Sequence, residues 1–230
     1  MSIIDASGPI YEGMWSYGDP FPRYKLVELG KPEWIEKFEP RQQAFEGFHM
    51  LTGSYISCPA HALGIESTYA AHEVPLEKLF GVEACVFNFD LDSLEREGDR
   101  PYISLKDIRN AGREIREGAP VLFGTGWGRH WKEPDYLSGA WFFKRDAVEY
   151  LVRKKPSMLG GDTPYFDNLE NEQGNWRLIC GNDIIILAPL VNLEEIRTDR
   201  VKLFVSPLNI LHTYGLPCRV LIDTCSGERS

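Results

Sequence analysis

The stretch LTGSYISCPAH, residues 51–61, combines the alternation of a β-strand with several polar or reactive side chains. Alternate residues of a strand face the same side, so Tyr55 and Ser57 are predicted to share one face. Pro59 has no N–H to donate, and ladder pairing is therefore predicted to stop close to it. His61 then lies just beyond the strand end, where side chains commonly enter a cleft.

Four neighbouring side chains make this stretch a candidate site. A lone histidine is more often structural than functional, but His61 is accompanied by Tyr55, Ser57 and Cys58. Cys58 beside a histidine suggests a thiolate nucleophile or a substrate contact. It falls on the opposite strand face from Ser57, however, which favours packing in the core.

Composition limits the classes of partner. The chain has 230 residues, 43% of them hydrophobic, which suits one large domain or two small ones, and we expect a single domain over residues 1–230. A formal net charge of −9 argues against nonspecific binding to nucleic acid or anionic lipid. Apolar runs such as Ile184–Val191 are far shorter than a membrane span. We therefore expect no nucleic-acid or membrane partner.

The remaining chain-wide signals concern location and redox state. The opening residues MSIIDASGPIYEG lack the basic-then-apolar layout of a signal peptide, so a cytoplasmic location is expected. The five cysteines contain no C-x-x-C pair, which indicates neither a zinc ribbon nor a disulfide framework.

Hydrophobic patterning predicts a mixture of strands and helices. Besides the opening stretch, the predicted strands are Ile3–Asp5, Ala84–Phe89, Pro120–Gly124, Ser157–Gly160, Ile184–Val191, Val201–Val205 and Arg219–Ile222. The predicted helices are Pro32–Phe45, Leu105–Glu117 with Ser104 as its N-cap, and Asp146–Lys155. This mixture predicts an α/β fold with a mixed β-sheet and flanking helices.

Two turns near the middle of the chain carry polar groups. Gly124–Gly128 lacks the Lys-Ser/Thr of a phosphate loop and is interpreted as a tight turn that positions the residues following it. Those residues are Trp127, Arg129, His130 and Trp131. Asp162 and Thr163 follow a predicted strand, and we expect them to hold a turn through bonds to the backbone.

Several segments, taken in order, resemble one family. They are IDASGPIYEGM (residues 4–14), VPLEKLFG (74–81), VLFGTGW (121–127), LGGDT (159–163), LVNL (190–193), SPLN (206–209) and GLPCRV (215–220). This ordered set is similar to the cyclase family, whose best-known member is bacterial kynurenine formamidase, with isatin hydrolase as a relative. The resemblance spans essentially the whole chain. It implies a cyclase-like swivelling β/β/α fold and assembly as a homodimer or homotetramer.

The resemblance also implies where a metal would bind. The family signature is H-x-G-T-H-x-D-A-P-x-H, and it aligns with Gly53, Pro59 and His61. The ligand positions then fall on Leu51, Tyr55 and Ser57, with two more at Trp176 and Ala188 when LVNL is the anchor. Leu, Trp and Ala cannot coordinate a divalent ion, and neutral Tyr and Ser are weak ligands. We therefore expect no metal at these positions and no cofactor.

His61 aligns with the family's catalytic histidine, a proton shuttle and not a ligand. This implies a metal-independent enzyme in which His61 is the general acid–base, while Tyr55 and Ser57 donate hydrogen bonds to a carbonyl or oxyanion. The expected reaction is hydrolysis, ring opening or closing, or dehydration of a small cyclic or aryl amide or lactone. The residues expected to contact that substrate are Trp15, Tyr17, Trp127, Trp176 and Cys58.

Two alternatives to this enzyme remain open. One is a catalytically silent family member that binds a small molecule in a semi-polar cleft. The other is a metal bound elsewhere by Cys or His, which would require a cluster that these scattered residues do not form in the sequence.

Overall fold

The computed structural model describes residues 3–225, which contain thirteen strands and four α-helices. The strands are β1 (Ile3–Asp5), β2 (Lys25–Leu29), β3 (Gln42–Glu46), β4 (Tyr55–Ser57), β5 (Phe80–Asn88), β6 (Arg96–Glu97), β7 (Arg100–Ile103), β8 (Val121–Gly124), β9 (Phe142–Phe143), β10 (Met158–Gly161), β11 (Ile185–Ala188), β12 (Arg200–Pro207) and β13 (Gly215–Asp223). The helices are α1 (Ala60–Leu63), α2 (Leu105–Ala111), α3 (Arg145–Arg153) and α4 (Asn175–Cys180). No helix in this part of the chain is long and apolar enough to cross a membrane.

Seven of the strands close into a barrel, in the order β13-β12-β5-β8-β10-β11-β4 and back to β13, with β1 added beside β13. The run from β5 to β11 is parallel and the other pairings are antiparallel, so the predicted mixed α/β class is confirmed. The expected swivelling β/β/α arrangement is corrected to a barrel. The physical reason is β4, which pairs with β11 on one side and β13 on the other and leaves the sheet no free edge there.

The barrel wall separates two hydrophobic cores. One core takes buried side chains from all seven barrel strands, among them Ile56 of β4 and Val86 of β5, and fills the barrel interior. The other packs the outer face of the parallel strands against helices α2, α3 and α4, with Phe87 and Val148 among its members. Because neighbouring residues of a strand face opposite sides, Tyr55 and Ser57, on either side of Ile56, point outward from the barrel.

The helices α2 and α3 fall where the sequence predicted them. Ser104 caps α2 as expected, since its hydroxyl accepts the Asp107 N–H while the Asp107 carboxylate accepts the Ser104 N–H. The predicted extension to Glu117 is wrong. Gly112, at φ +64°, adopts the left-handed conformation that commonly ends a helix, and α2 therefore stops at Ala111.

The predicted helix Pro32–Phe45 is wrong. Its last residues belong to β3, which pairs with β2 in a two-stranded antiparallel ribbon, and the residues before β3 form the loop that joins the two strands. Trp34 and Phe38, whose helical spacing suggested a buried face, are 81% and 64% exposed. The prolines at 32 and 40 leave too short an interval for a stable helix, and residues after Pro40 pair instead with β2.

Candidate functional site

A pocket of about 600 Å³ lies against the outer side of β4, between α4 and the loop that follows β10. Its volume falls within the range of small-molecule sites. The residues lining it are Tyr17, Phe21, Leu51, Tyr55, Ser57, His61, Pro164, Tyr165, Phe166, Asp167, Leu169, Glu172, Gly174, Trp176, Arg177, Ile186 and Ala188. The lining is mostly aromatic and aliphatic, with a small polar cluster on β4 and α1.

Strand alternation places that polar cluster. Tyr55 and Ser57 both line the pocket, whereas Ile56 between them is buried in the barrel interior. The opening stretch thus has the predicted face assignment, although its ladder begins only at Tyr55. Tyr55 is the register partner of Ala188, and Ser57 is that of Ile186, so the pocket wall spans two neighbouring strands.

A single helical turn, α1, follows β4 and places the His61 side chain beside Ser57 at the end of the strand. Pro59 takes helical dihedral angles and starts α1, which makes Ser57 and His61 neighbours four residues apart. The Ser57 Oγ and His61 Nδ1 atoms are 2.9 Å apart and share a hydrogen bond. Burial lowers the pKa of the His61 imidazole below its ordinary value of 6.5, so the ring is neutral at pH 7. A neutral imidazole has one nitrogen that donates and one that accepts.

Trp176 covers His61 from the other side. It lies in α4, and its ring meets the imidazole edge-to-face at a centroid distance of 4.9 Å. The start of α4 is fixed by the Asp167 carboxylate, which accepts the backbone N–H groups of Gln173 and Asn175. The carboxylate is therefore used to hold the pocket wall in place.

A pair of tyrosines forms a second polar contact in the pocket. The hydroxyls of Tyr17 and Tyr55 are 2.8 Å apart, and the Tyr17 hydroxyl also lies 3.4 Å from the Pro164 carbonyl oxygen. Burial raises the pKa of both phenols, so both keep their protons at neutral pH. When Tyr17 gives its one proton to Tyr55 and not to the Pro164 carbonyl, the Tyr55 proton is free to be donated to a ligand oxygen.

The five positions at which the resemblance places metal ligands all line this one pocket. They are Leu51, Tyr55, Ser57, Trp176 and Ala188. None is a carboxylate or an imidazole, and the raised pKa of Tyr55 disfavours a phenolate ligand. Within residues 3–225, no group of three or more His, Cys, Asp or Glu is arranged to hold a metal ion. The side chains present do not fit the family's divalent metal.

Three residues expected to contact substrate, Trp15, Trp127 and Cys58, are not among those that line this pocket. Trp15 packs behind Tyr17 with its ring centroid 5.3 Å away. Trp127 is 5% exposed and donates its indole N–H to the Tyr136 carbonyl. Cys58 is fully buried among the barrel-interior side chains, and burial raises the pKa of its thiol to about 12. The physical reason is that apolar packing takes up all three side chains.

The two central turns have structural roles. Trp127–His130 forms a 3-10 turn after Gly126, as the glycine-rich sequence predicted. The Asp162 carboxylate accepts the N–H groups of Thr125 and Gly126 and the indole N–H of Trp141. These bonds confirm the turn-holding role expected of Asp162.

Apart from Trp176, the part of the pocket supplied by residues 164–177 was not predicted from the sequence. Tyr165, Phe166 and Leu169 contribute apolar surface there, and Glu172 and Arg177 contribute charge. No periodic pattern marks this segment, because most of it is loop. The strand-to-turn signal at Asp162 was the one indication that a functional loop begins there.

The chain belongs to a known family. Residues 4–168 match the family described as "Putative cyclase". Solved structures also match the chain significantly, whereas no curated protein does. The chain is therefore a member of the cyclase family that lacks the expected residues at the metal-ligand positions.

Three solved structures illustrate the likeness. A potential metal-dependent hydrolase with cyclase activity is 25% identical, with a TM-score of 0.73 over 96% of this chain and 98% of its own. A predicted metal-dependent hydrolase from Bacillus stearothermophilus is also 25% identical, with a TM-score of 0.74 over 97% and 98%. Isatin hydrolase A from Ralstonia solanacearum is 18% identical, with a TM-score of 0.77 over 96% and 91%. The last likeness concerns the fold alone.

Proposed function

We propose that this protein is a metal-independent hydrolase of small cyclic or aryl amides or lactones, in which His61 transfers the proton. The observation that carries the proposal is the hydrogen bond between His61 Nδ1 and Ser57 Oγ, at the wall of an aromatic pocket. The two relatives described as metal-dependent hydrolases support the hydrolase class. The side chains at the ligand positions support independence from their metal.

The proton-transfer step follows from the state of His61. A neutral imidazole accepts a proton from the attacking nucleophile and returns it to the departing nitrogen or oxygen of the substrate. A positioned acid–base of this kind typically contributes roughly 10²–10⁴-fold in rate. The low pKa of His61 suits this role, because the base form is present at neutral pH.

The carbonyl oxygen of the substrate would be bound by Tyr55. Its phenol remains protonated and faces the pocket, so it can donate to an oxygen on which negative charge develops. Tyr17 stands behind Tyr55 and can donate to it in turn. Such a chain of two phenols polarises the outer donor.

The pocket lining supports a substrate with a planar or aromatic ring. Tyr17, Phe21, Tyr165 and Trp176 offer faces and edges for a planar ring. His61 and Tyr55 would also serve ring closure or dehydration, because these reactions too need only proton transfer.

A second candidate function is binding without turnover. It is favoured by the apolar groups at three ligand positions, Leu51, Trp176 and Ala188, which convert a charged site into a semi-polar cleft. Such a protein binds an aromatic molecule saturably and leaves it unchanged.

A substrate screen on chelator-treated protein tests the proposal. The panel contains N-acyl aryl amines, aryl lactones and isatin-like lactams, assayed with wild type, His61→Ala and a control, His130→Ala. His130 stacks on Trp127 away from the pocket. We expect wild type and the control to hydrolyse a panel member and His61→Ala to be slower by roughly 100-fold or more. Saturable binding with no turnover by wild type would instead establish the binding protein.

We further propose a homodimer or homotetramer located in the cytoplasm. The β2–β3 ribbon supports self-association, because a two-stranded ribbon is marginally stable on its own, and this ribbon and its connecting loop expose large apolar side chains. Those side chains are Leu26, Leu29, Trp34, Phe38 and Phe45. A second copy of the chain is the partner proposed to cover them. The acidic net charge supports a small molecule, and neither nucleic acid nor membrane, as the other partner.

A further inference from the structure

We propose that Ser57 is the nucleophile of this site and forms an acyl-enzyme ester, with His61 as its general base. The inference rests on the proposed hydrolase function and specifies its route: covalent catalysis through a Ser–His pair, where the alternative is direct attack by water.

The environment of Ser57 differs from that of the nearby Ser54. The Ser54 hydroxyl accepts the Gly8 N–H and donates its proton to the Pro189 carbonyl, so it is engaged with two backbone groups as both acceptor and donor. Within residues 3–225, the Ser57 hydroxyl has one hydrogen-bond partner, His61 Nδ1. In the tautomer that carries its proton on Nε2, His61 Nδ1 accepts the Ser57 hydroxyl proton, and the Ser57 oxygen otherwise faces the pocket. This is the arrangement of an activated nucleophile.

The other parts that a serine nucleophile requires lie on the same strand face. Tyr55 precedes Ser57 by two residues and also lines the pocket, which places a protonated phenol beside the oxygen of a bound carbonyl. Trp176 packs edge-to-face against His61 and supports one side of the imidazole. Nucleophile, base and oxyanion donor thus converge on one apolar pocket.

The reaction requires only the substrate, Ser57, His61 and water. The Ser57 Oγ bonds to the substrate carbonyl carbon while its proton passes to His61 Nδ1, the imidazole proton residing on Nε2. The carbon–nitrogen or carbon–oxygen bond then breaks, and the leaving atom takes the proton from His61. Water next attacks the ester, gives a proton to His61 and becomes part of the carboxylic acid. The released Ser57 Oγ recovers its proton from the imidazole.

Covalent labelling tests the assignment directly. Wild type, Ser57→Ala, Ser54→Ala and His61→Ala are incubated with diisopropyl fluorophosphate and with p-nitrophenyl acetate, and adducts are located by intact-mass and peptide mass spectrometry. We expect one adduct per wild-type chain, on the peptide that contains Ser57. We expect no adduct on Ser57→Ala, slower labelling of His61→Ala by roughly 100-fold, and normal labelling of Ser54→Ala.

A second variant guards against misfolding of Ser57→Ala. Ser57→Cys keeps a nucleophile in nearly the same volume, and we expect it to form a hydroxylamine-sensitive thioester with p-nitrophenyl acetate. Absence of a wild-type adduct, or an adduct that persists in folded Ser57→Ala, would overturn the assignment.

Turnover on the amide and lactone panel separates this inference from the proposed function. Hydrolysis by both wild type and Ser57→Ala, lost only in His61→Ala, would reject the nucleophile and leave the hydrolase intact. Labelling of Ser57 with no turnover of any panel member would support the nucleophile and reject the proposed substrate class.

Discussion

Ser57 Oγ lies 2.9 Å from His61 Nδ1 because β4 ends at Ser57 and Pro59 begins a helical turn immediately afterwards. The contact is local in sequence, and it therefore requires no long-range arrangement beyond the pocket that surrounds it. This hydrogen bond joins Ser57, which occupies one of the family's metal-ligand positions, to His61, which aligns with the family's proton shuttle.

The first prediction concerns the pH dependence of hydrolysis. The base must be neutral, and burial lowers the pKa of His61 below 6.5. We therefore expect kcat/KM to rise with pH through an inflection below 6.5 and to be level at neutral pH. Because Asp167 and Glu172 also line the pocket, a control must assign the inflection to His61. The residual rate of His61→Gln should lack the inflection. An inflection above pH 7 in wild type would contradict the assignment of the base.

The second prediction concerns the oxyanion donor. Tyr55→Phe removes the phenol O–H and keeps the ring, so kcat should fall by roughly 10²–10³-fold with little change in KM. Tyr165→Phe, at another position in the pocket lining, is the matched control and should change kcat far less. Steady-state kinetics of the two variants measure the difference. Equal effects of both changes would remove Tyr55 from this role.

The third prediction separates Cys58 from the catalytic groups. Cys58 packs in the barrel interior, and burial raises its thiol pKa to about 12, so it should be neither a nucleophile nor a substrate contact. Cys58→Ala should keep the wild-type kcat, and the Cys58 thiol of native protein should resist iodoacetamide. Rapid alkylation at Cys58 that abolishes turnover would show that the site includes it.

The sequence predicted the polar half of the site because that half is encoded locally. Alternation along 55–57 and the proline at 59 are enough to bring Tyr55, Ser57 and His61 to one surface. The aromatic half was predicted less well. Tyr17 and Trp176 reach the pocket, whereas Trp127 is packed in the core, and aromatic composition does not distinguish these two fates.

The fold shows the same division between local and long-range information. Capping residues predicted where α2 begins, and apolar runs predicted the barrel strands. Barrel closure depends on the pairing of β4 with β13, which lies about 160 residues later in the chain and has no local signal. The β2–β3 ribbon was missed because its apolar residues are exposed, which reverses the usual relation between hydrophobicity and burial.

The fourth prediction concerns self-association. If a second copy covers the ribbon and its connecting loop, Trp34→Ser together with Phe38→Ser should shift the protein from a dimer or tetramer toward the monomer. Light scattering coupled to size-exclusion chromatography measures the mass. Leu76→Ser, which changes an exposed apolar residue outside the ribbon, is the control and should leave the mass unchanged. A wild-type protein that is monomeric at micromolar concentration would contradict the proposal.

Hydrolysis by this protein is proposed not to depend on the family's metal, and removal of metal by a chelator tests that independence. The hydrolysis rate of a panel substrate is followed before and after exhaustive chelation, with the metal content of the same samples determined by elemental analysis. We predict substoichiometric metal and an unchanged rate, because the five expected ligand positions hold Leu51, Tyr55, Ser57, Trp176 and Ala188. Stoichiometric zinc or manganese, with activity lost on chelation and restored by that ion, would contradict the account.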